Sequence, residues 1–308
     1  MSPTRVKLED GRFIYVPCRN CIPCKINKTS EWTMRILMEK ATNPNCQFLT
    51  LTYNNDNLPK DRGLHKDDLQ DFFKSFRQEL EYAGGDKIKY FACGEYGDNP
   101  QRLTNGEYIK RPHYHSIIFG IDDSMETRMM INNAWKKQED WKLFGKTWRK
   151  TLGNVSADSA SYVAGYCQKK LFGKYADWEY GDKQPPFQLQ SQRIGEKYFL
   201  EHAEQYIKDG FIFFNGKKHP IPETWKRKFN IDLSNNTSSI EFKEQRVMEF
   251  VLSQRKKGYQ VNYLNIFELW AQSGSNYNLN DLFLDLNKLE AYQAYLKAKN
   301  NLKKRGQL

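Results

Sequence analysis

Long apolar runs are missing from this chain of 308 residues. No stretch approaches the roughly 20 apolar residues that span a bilayer, and the N-terminus MSPTRVKLED has no apolar signal-peptide core. Those absences argue against a membrane or exported protein and set the expectation of a soluble, intracellular one. Acidic residues are in deficit: 37 Asp and Glu face 48 Lys and Arg, a net +11 at pH 7. The surplus favours a polyanion such as nucleic acid, although a membrane surface would be equally anionic. Internal repeats are absent. So is a complete phosphate-binding loop, because Gly145-Lys146-Thr147 is preceded by Asp140 where the first glycine of GxxxxGK[ST] is required, and no NTPase follows from it. Cysteine is sparse at six residues, yet three crowd into CRNCIPC as Cys18, Cys21 and Cys24. In a reducing cytosol that spacing suggests metal or redox chemistry more than disulfides. A structural zinc normally wants four ligands, so a zinc reading needs a fourth from elsewhere, with Cys46 as candidate, and free thiols are the even alternative.

What the chain does have is aromatic side chains, 14% of residues, which include potential stacking surfaces for bases beside ordinary core and rim. Its length allows a catalytic domain with a smaller C-terminal region. Residues 1–24 read as an irregular N-terminal segment holding the cysteine cluster. Ser30 can cap a helix carrying Trp32, Ile36 and the Met34–Leu37 pair at a 3.6-residue period. Residues 47–53, QFLTLTY, read as an inner strand closed by Asn54-Asn55-Asp56. Over 67–82, Leu69, Phe72, Phe73, Phe76 and Leu80 trace one face of an amphipathic helix that Gly84-Gly85 ends. Residues 88–96 (IKYFACGEY) and 113–120 (HYHSIIFG) read as two strands of a long hairpin. A helix over about 124–137 follows, then one over 157–171 that Ser156 or Asp158 can cap. The main unit is expected over 25–233, SNNTSS at 234–239 is the best linker candidate, and 240–308 reads as a helical C-terminal region with a basic end.

Within Arg111-Pro112-His113-Tyr114-His115, two histidines stand two positions apart, and in a strand that spacing aims both rings at one face. Two imidazoles on a rigid strand make half a metal site. Across the hairpin Glu95 can bring a carboxylate to the same face, giving a two-nitrogen, one-oxygen set with positions left open for phosphate and water, as Mg²⁺ or Mn²⁺ requires. HxH alone is weak evidence; its company raises it. On the 157–171 helix, Ala160, Val163, Ala164, Cys167 and Leu171 share one face at about 100° per residue and should pack on the sheet. The opposite face then presents Tyr162, Tyr166 and Lys169 as a ridge. A phenol with a pKa of about 10 is a poor nucleophile, so attack on a phosphodiester needs the phosphate polarised or the phenolate stabilised. Lys169 offers an electrostatic role in either case.

The blocks FLTLTY, RPHYHSIIFG and YVAGYCQKK resemble, in order and content, the three rolling-circle motifs of HUH replication initiators. The nearest resemblance is to the gokushovirus branch of the Microviridae. That branch also carries a cysteine cluster like CRNCIPC, a GEYG element (residues 94–97 here) and a late Ile-Gly segment (within 193–197) followed by basic and proline-rich residues such as KKHPIPETW. The resemblance covers about residues 18–230. It implies an α+β fold with a central antiparallel sheet flanked by helices, the histidine strand central and the tyrosine helix beside the metal. It also implies origin nicking in the bacterial host's cytoplasm, with a 5′-phosphotyrosine intermediate and a freed 3′ end that primes synthesis. The chain would then depend on host helicase and polymerase. Carried over, Tyr162 and Tyr166 are the nucleophiles and His113 and His115 the metal ligands; the third ligand is Glu95 or Gln168. A relaxase or transposase of the same chemistry, and a non-catalytic single-stranded DNA-binding protein, are the rival readings.

Overall fold

The computed structural model describes residues 4–7, 11, 13–16, 22–97, 100–103, 106–166, 179–242, 245, 248 and 252. In chain order its elements are β1 (Thr4–Lys7), β2 (Phe13–Val16), α1 (Ile22–Thr42), β3 (Cys46–Thr52), α2 (Lys66–Tyr82), β4 (Lys89–Tyr96), β5 (Gln101–Arg102), β6 (Tyr108–Ile109), β7 (Pro112–Phe119), α3 (Met125–Trp135), α4 (Trp141–Phe144), β8 (Leu152–Asn154), α5 (Ala157–Tyr166), β9 (Phe187–Gln190), α6 (Glu196–Glu201), α7 (Ala203–Asp209), β10 (Ile212–Phe214), β11 (Lys217–His219) and α8 (Glu223–Lys228). They fall into two compact units, one of Trp32–Glu201 and one of Met1–Glu31 with His202–Leu308.

The Trp32–Glu201 unit is built on a five-stranded sheet in the order β8-β3-β7-β4-β9, every neighbouring pair antiparallel. This is the α+β architecture that the resemblance implies, with β7 at the centre. Strand alternation sends odd-numbered β7 residues to one face and even-numbered ones to the other. On the even face Tyr114 and Ile118 join Leu69, Phe72, Phe73, Phe76 and Leu80 of α2 and Ile131 and Trp135 of α3 in one apolar cluster. The period expected for α2 is thus the buried one. On the odd face Ile117 and Phe119 pack with Trp32 and Ile36 of α1 and Ala160, Val163 and Ala164 of α5. Two helices on each face leave the middle of the sheet dry.

Local chemistry sets the helix ends. Ser156 caps α5 reciprocally: its Oγ accepts from Ser159 N at 3.1 Å while Ser159 Oγ accepts from Ser156 N at 2.7 Å. Ser124 Oγ accepts from Thr127 N at 3.1 Å to start α3. The Ile-Gly segment serves as a clamp on α1. Gly195 sits at φ +74, and a Cβ there would come within 2.6 Å of the Arg35 carbonyl oxygen. Its N–H donates to the buried Glu39 carboxylate at 2.9 Å, and Lys89 pairs with the same carboxylate at 2.8 Å.

The other unit departs from the reading of the sequence in three places. Residues 4–16 include an antiparallel β1–β2 pair, not wholly irregular chain, and α1 begins at Ile22, before Ser30. Pro23 tolerates the earlier start because a first-turn residue needs no hydrogen-bonded N–H. Asn215 and Gly216, both at positive φ, turn β10 into β11, as an Asn-Gly pair favours. SNNTSS is not an open tether: Asn236 Oδ1 accepts from Ser239 N at 2.7 Å, capping a helical segment from Thr237, and its Nδ2 donates to Ile207 O and Lys208 O at 3.0 Å. The helical patterns expected over 241–257 and 279–304 fall mostly outside the described residues.

Candidate active site

The site lies on the odd face of β7, at the end where the apolar packing stops. Antiparallel register aligns Thr52, His113 and Glu95 in one cross-strand row, and Thr50, His115 and Cys93 in the next. Directly opposed residues share a sheet face. Glu95 is therefore brought to the histidines by register, as the hairpin reading expects. Its Oε1 lies 2.8 Å from His113 Nε2 and 3.3 Å from His115 Nε2. Ligand atoms from the three residues all fall within 4.8 Å of one another, a group able to hold a metal ion. Glu95 and His115 are buried and His113 half-buried.

The hydrogen bonds behind the rings fit a cation. His113 Nδ1 is 3.1 Å from the Arg111 carbonyl oxygen, which can only accept, so Nδ1 carries a proton. In a neutral His113 ring the Nε2 lone pair then faces the Glu95 oxygen. His115 Nδ1 is 3.0 Å from Thr50 Oγ1, which can hold that ring in the same tautomer. Lone pairs this close to a carboxylate oxygen repel unless a proton or a metal ion lies among them. Outer partners on Nδ1 with Nε2 turned inward are the arrangement that presents histidine to a metal. Burial raises the Glu95 carboxyl's pKa, but hydrogen bonds and charge from His113 and His115 outweigh it and leave it below the usual carboxylate value. The carboxylate form, the one a cation needs, is thus favoured.

The tyrosines of α5 stand against this cluster. Helix α5 lies on β4 and β7 and buries Ala160, Val163 and Ala164 completely. The Tyr162 and Tyr166 rings have centroids 5.3 and 5.8 Å from that of His115, and 4.3 Å from each other. The expected ridge pointing directly away from the sheet is corrected here. Tyr166 is only half-exposed and packs on the odd-face cluster, while Tyr162 is 44% exposed. On the helical wheel both lie on a flank, and a long side chain reaches from the flank to the sheet surface. Phe48 completes the wall, its ring 5.4 Å from His115 and 6.3 Å from Tyr162 between centroids.

Lys169 and Gln168 lie outside the described residues, as do Cys167 and Leu171. Cys18 and Cys21 do too, whereas Cys24 is described and buried. Cys46, the suggested fourth zinc ligand, is buried in the odd-face apolar cluster. Reading the sequence missed Thr50 and the Arg111 carbonyl. The Thr50/Thr52 alternation in FLTLTY was the available signal, but it speaks only once β3 is known to neighbour β7. Also missed was the bracing behind the site: on the even face Tyr114 Oη accepts from His65 N at 3.0 Å and lies 2.7 Å from Tyr53 Oη. Burial pushes the Tyr114 phenol up to about 12, so it stays protonated.

An antiparallel sheet bearing a His-x-His strand, a cross-strand glutamate and a paired-tyrosine helix coincides with the part of the chain that family comparison recognises. Residues 46–171 match the model of the replication-associated protein ORF2 family, and the domain belongs to that family. Among individual relatives, the replication-associated protein ORF2 of Spiroplasma virus 4 is 29% identical over 258 residues, covering 78% of this chain and 76% of its own. The replication-associated protein VP4 of Bdellovibrio phage phiMH2K is 28% identical over 293 residues, covering 90% and 87%. The replication-associated protein ORF4 of Chlamydia phage 1 is 29% identical over 219 residues, 68% of this chain but only 52% of the relative. No solved structure matches the chain.

Proposed function

We propose that this chain initiates rolling-circle replication of a phage genome by nicking and rejoining single-stranded DNA at the origin. The observation that carries the reading is the position of two phenols, Tyr162 and Tyr166, against His115 of a buried His-His-Glu cluster. Ordinary packing gives little reason for two stacked tyrosines beside a metal-competent set. A divalent ion such as Mg²⁺ or Mn²⁺ held by His113, His115 and Glu95 supplies polarisation of the scissile phosphate.

One phenol oxygen attacks the phosphorus, a tyrosine–phosphate bond forms, and the bond to the 3′ oxygen breaks. The phenol gives up its proton and the departing 3′ oxygen gains one. Because the phosphodiester is exchanged rather than hydrolysed, a later 3′-hydroxyl can reverse the step without ATP. The second tyrosine allows a second transfer while the first ester is still held. Thr50 and the Arg111 carbonyl keep both imidazoles turned inward, and Glu95 fixes their spacing. Lys169, which follows the tyrosines, offers charge for the phenolate or the phosphate oxygens. Cys18, Cys21 and Cys24 remain the proposed structural zinc ligands. The partners proposed are locally melted origin DNA and the host's helicase and polymerase, in the host cytoplasm; no described helix is long and apolar enough to cross a membrane.

The test is covalent capture. With Mn²⁺ and single-stranded origin DNA of the encoding genome, the protein should give an adduct that survives a denaturing gel, and the Tyr162→Phe, Tyr166→Phe double variant should give none. No adduct from the wild type, or an undiminished one from the double variant, removes the mechanism and leaves a DNA-binding protein.

A further inference from the structure

The outer edge of β3 beyond its short pairing with β8 is covered by residues 137–151. Strand β8 pairs only with Gln47, Phe48 and Leu49. Past that point Thr50 N donates to Thr151 O at 2.8 Å, Thr52 N to Gln138 Oε1 at 3.4 Å and Asn54 N to Lys137 O at 2.7 Å. Thr50 and Thr52 are the residues paired with His115 and His113. The covering segment is therefore fixed at three points to the strand that flanks the site.

What this segment shows to solvent is unlike ordinary surface. Trp141 is 56% exposed and Phe144 38% exposed, and Lys136, Lys146, Arg149 and Lys150 are exposed beside them. The Lys142 ammonium lies 5.4 Å from the Trp141 ring, and the guanidinium groups of Arg128 and Arg149 lie 4.0 and 4.7 Å from that of Trp148. Arg111, next to the histidine strand, donates only to neutral groups in its hydrogen bonds, the Tyr53 carbonyl and Asn55 Oδ1. Burial lowers the pKa of Lys142 and then so does the charge of Arg111, and Arg111 is depressed in turn by burial and by Arg62. Cations crowded enough to repel one another gain most from an anion laid across them. Gly145-Lys146-Thr147, which fails as a phosphate loop, sits in this segment between α4 and a short 3₁₀ turn at Trp148–Lys150.

We propose that Trp141, Lys142, Lys146, Arg149 and Arg111 form a track for the single strand that flanks the scissile phosphate, Trp141 stacking a base and the cations taking phosphates. Interleaved rings and cations are what sequence-tolerant single-strand binding requires, since every base has a stacking face. The proposal rests on the nicking function for its substrate. Trp141 and Lys146 are solvent-exposed, so replacing them leaves the core untouched.

The test is anisotropy titration of fluorescein-labelled oligothymidylate with the full chain at several salt concentrations, beside the adduct assay on origin DNA. Trp141→Ala should weaken binding about tenfold and Trp141→Phe should restore most of it. The Lys142→Ala, Lys146→Ala double variant should lower the slope of log affinity against log salt by roughly 0.7 for each phosphate no longer neutralised. The Tyr162→Phe, Tyr166→Phe variant should lose the adduct yet keep this binding. Unchanged affinity and slope in the track variants, with the wild-type adduct intact, overturn the track and leave the nicking function standing. Track-dependent binding with no wild-type adduct supports the track and sinks the nicking reading instead.

Discussion

The two faces of β7 are one residue apart in sequence and opposite in physical character. On the even face Tyr114 is fully buried among Tyr53, Trp135 and Phe187, and its hydroxyl is held by His65 and Tyr53. On the odd face His113 and His115 direct nitrogen toward one carboxylate oxygen, beside an exposed tyrosine. Polar atoms on the even face are matched to partners; those on the odd face are arranged for a charge that the protein does not itself provide. The comparison teaches that HxYxH is one structural unit, in which the middle residue stabilises the strand and the outer two carry the chemistry.

The largest expected effect separates these roles. His115→Ala should lower nicking by about a thousandfold or more, ~4 kcal/mol in the barrier, while oligonucleotide binding survives and thermal unfolding moves little. If binding and melting temperature fall together with activity, His115 is part of the core and the division between the faces fails. Tyr114→Ala tests the other side. It empties a ring-sized volume in an aromatic cluster and should cost about 3–5 kcal/mol of stability in denaturant titration. A stable Tyr114→Ala protein that has lost only nicking would place Tyr114 with the chemistry.

Much of this division was legible in the sequence, for a definite reason. The apolar spacing of Leu69, Phe72, Phe73, Phe76 and Leu80 specifies one helix face whatever lies beneath it, and the HxH spacing specifies one strand face. Glu95 was reachable too, since a hairpin register needs only two strands. Strand order across the sheet was not, because Thr50 and Thr52 meet the histidines only when β3 returns to pair with β7 over more than sixty residues. The tyrosines were found by type and spacing but placed on the wrong side of α5: a wheel gives direction from the axis, not how far a long ring reaches from its flank. The Asn215-Gly216 turn carried a readable signal, an Asn-Gly pair between short apolar runs, yet was overshadowed by the basic stretch that follows it.

A third measurement sharpens the odd face. Thr50→Val keeps shape and removes the oxygen 3.0 Å from His115 Nδ1. Losing such an outer partner should weaken Mn²⁺ binding about 10- to 100-fold by electron paramagnetic resonance titration, with nicking recovered at higher Mn²⁺. Affinity within twofold of wild type would mean that backbone and packing alone orient the ring.

The smallest expected effect lies on the even face and asks how closely its polar atoms are matched. Tyr114→Phe keeps the ring among its aromatic neighbours but leaves the His65 N–H, which donates to that hydroxyl at 3.0 Å, without its acceptor. An unmet buried donor costs about 1–3 kcal/mol, and because the added phenyl edge is already accommodated, no cavity term adds to it. The expected loss is therefore near the lower end, about 1 kcal/mol, read as a shifted denaturant midpoint at constant slope. Mn²⁺ affinity and adduct formation should be unchanged. A Tyr114→Phe protein of normal stability but weakened Mn²⁺ binding would show that the hydroxyl network on one face sets the geometry of the other, and the two faces would then have to be treated as coupled.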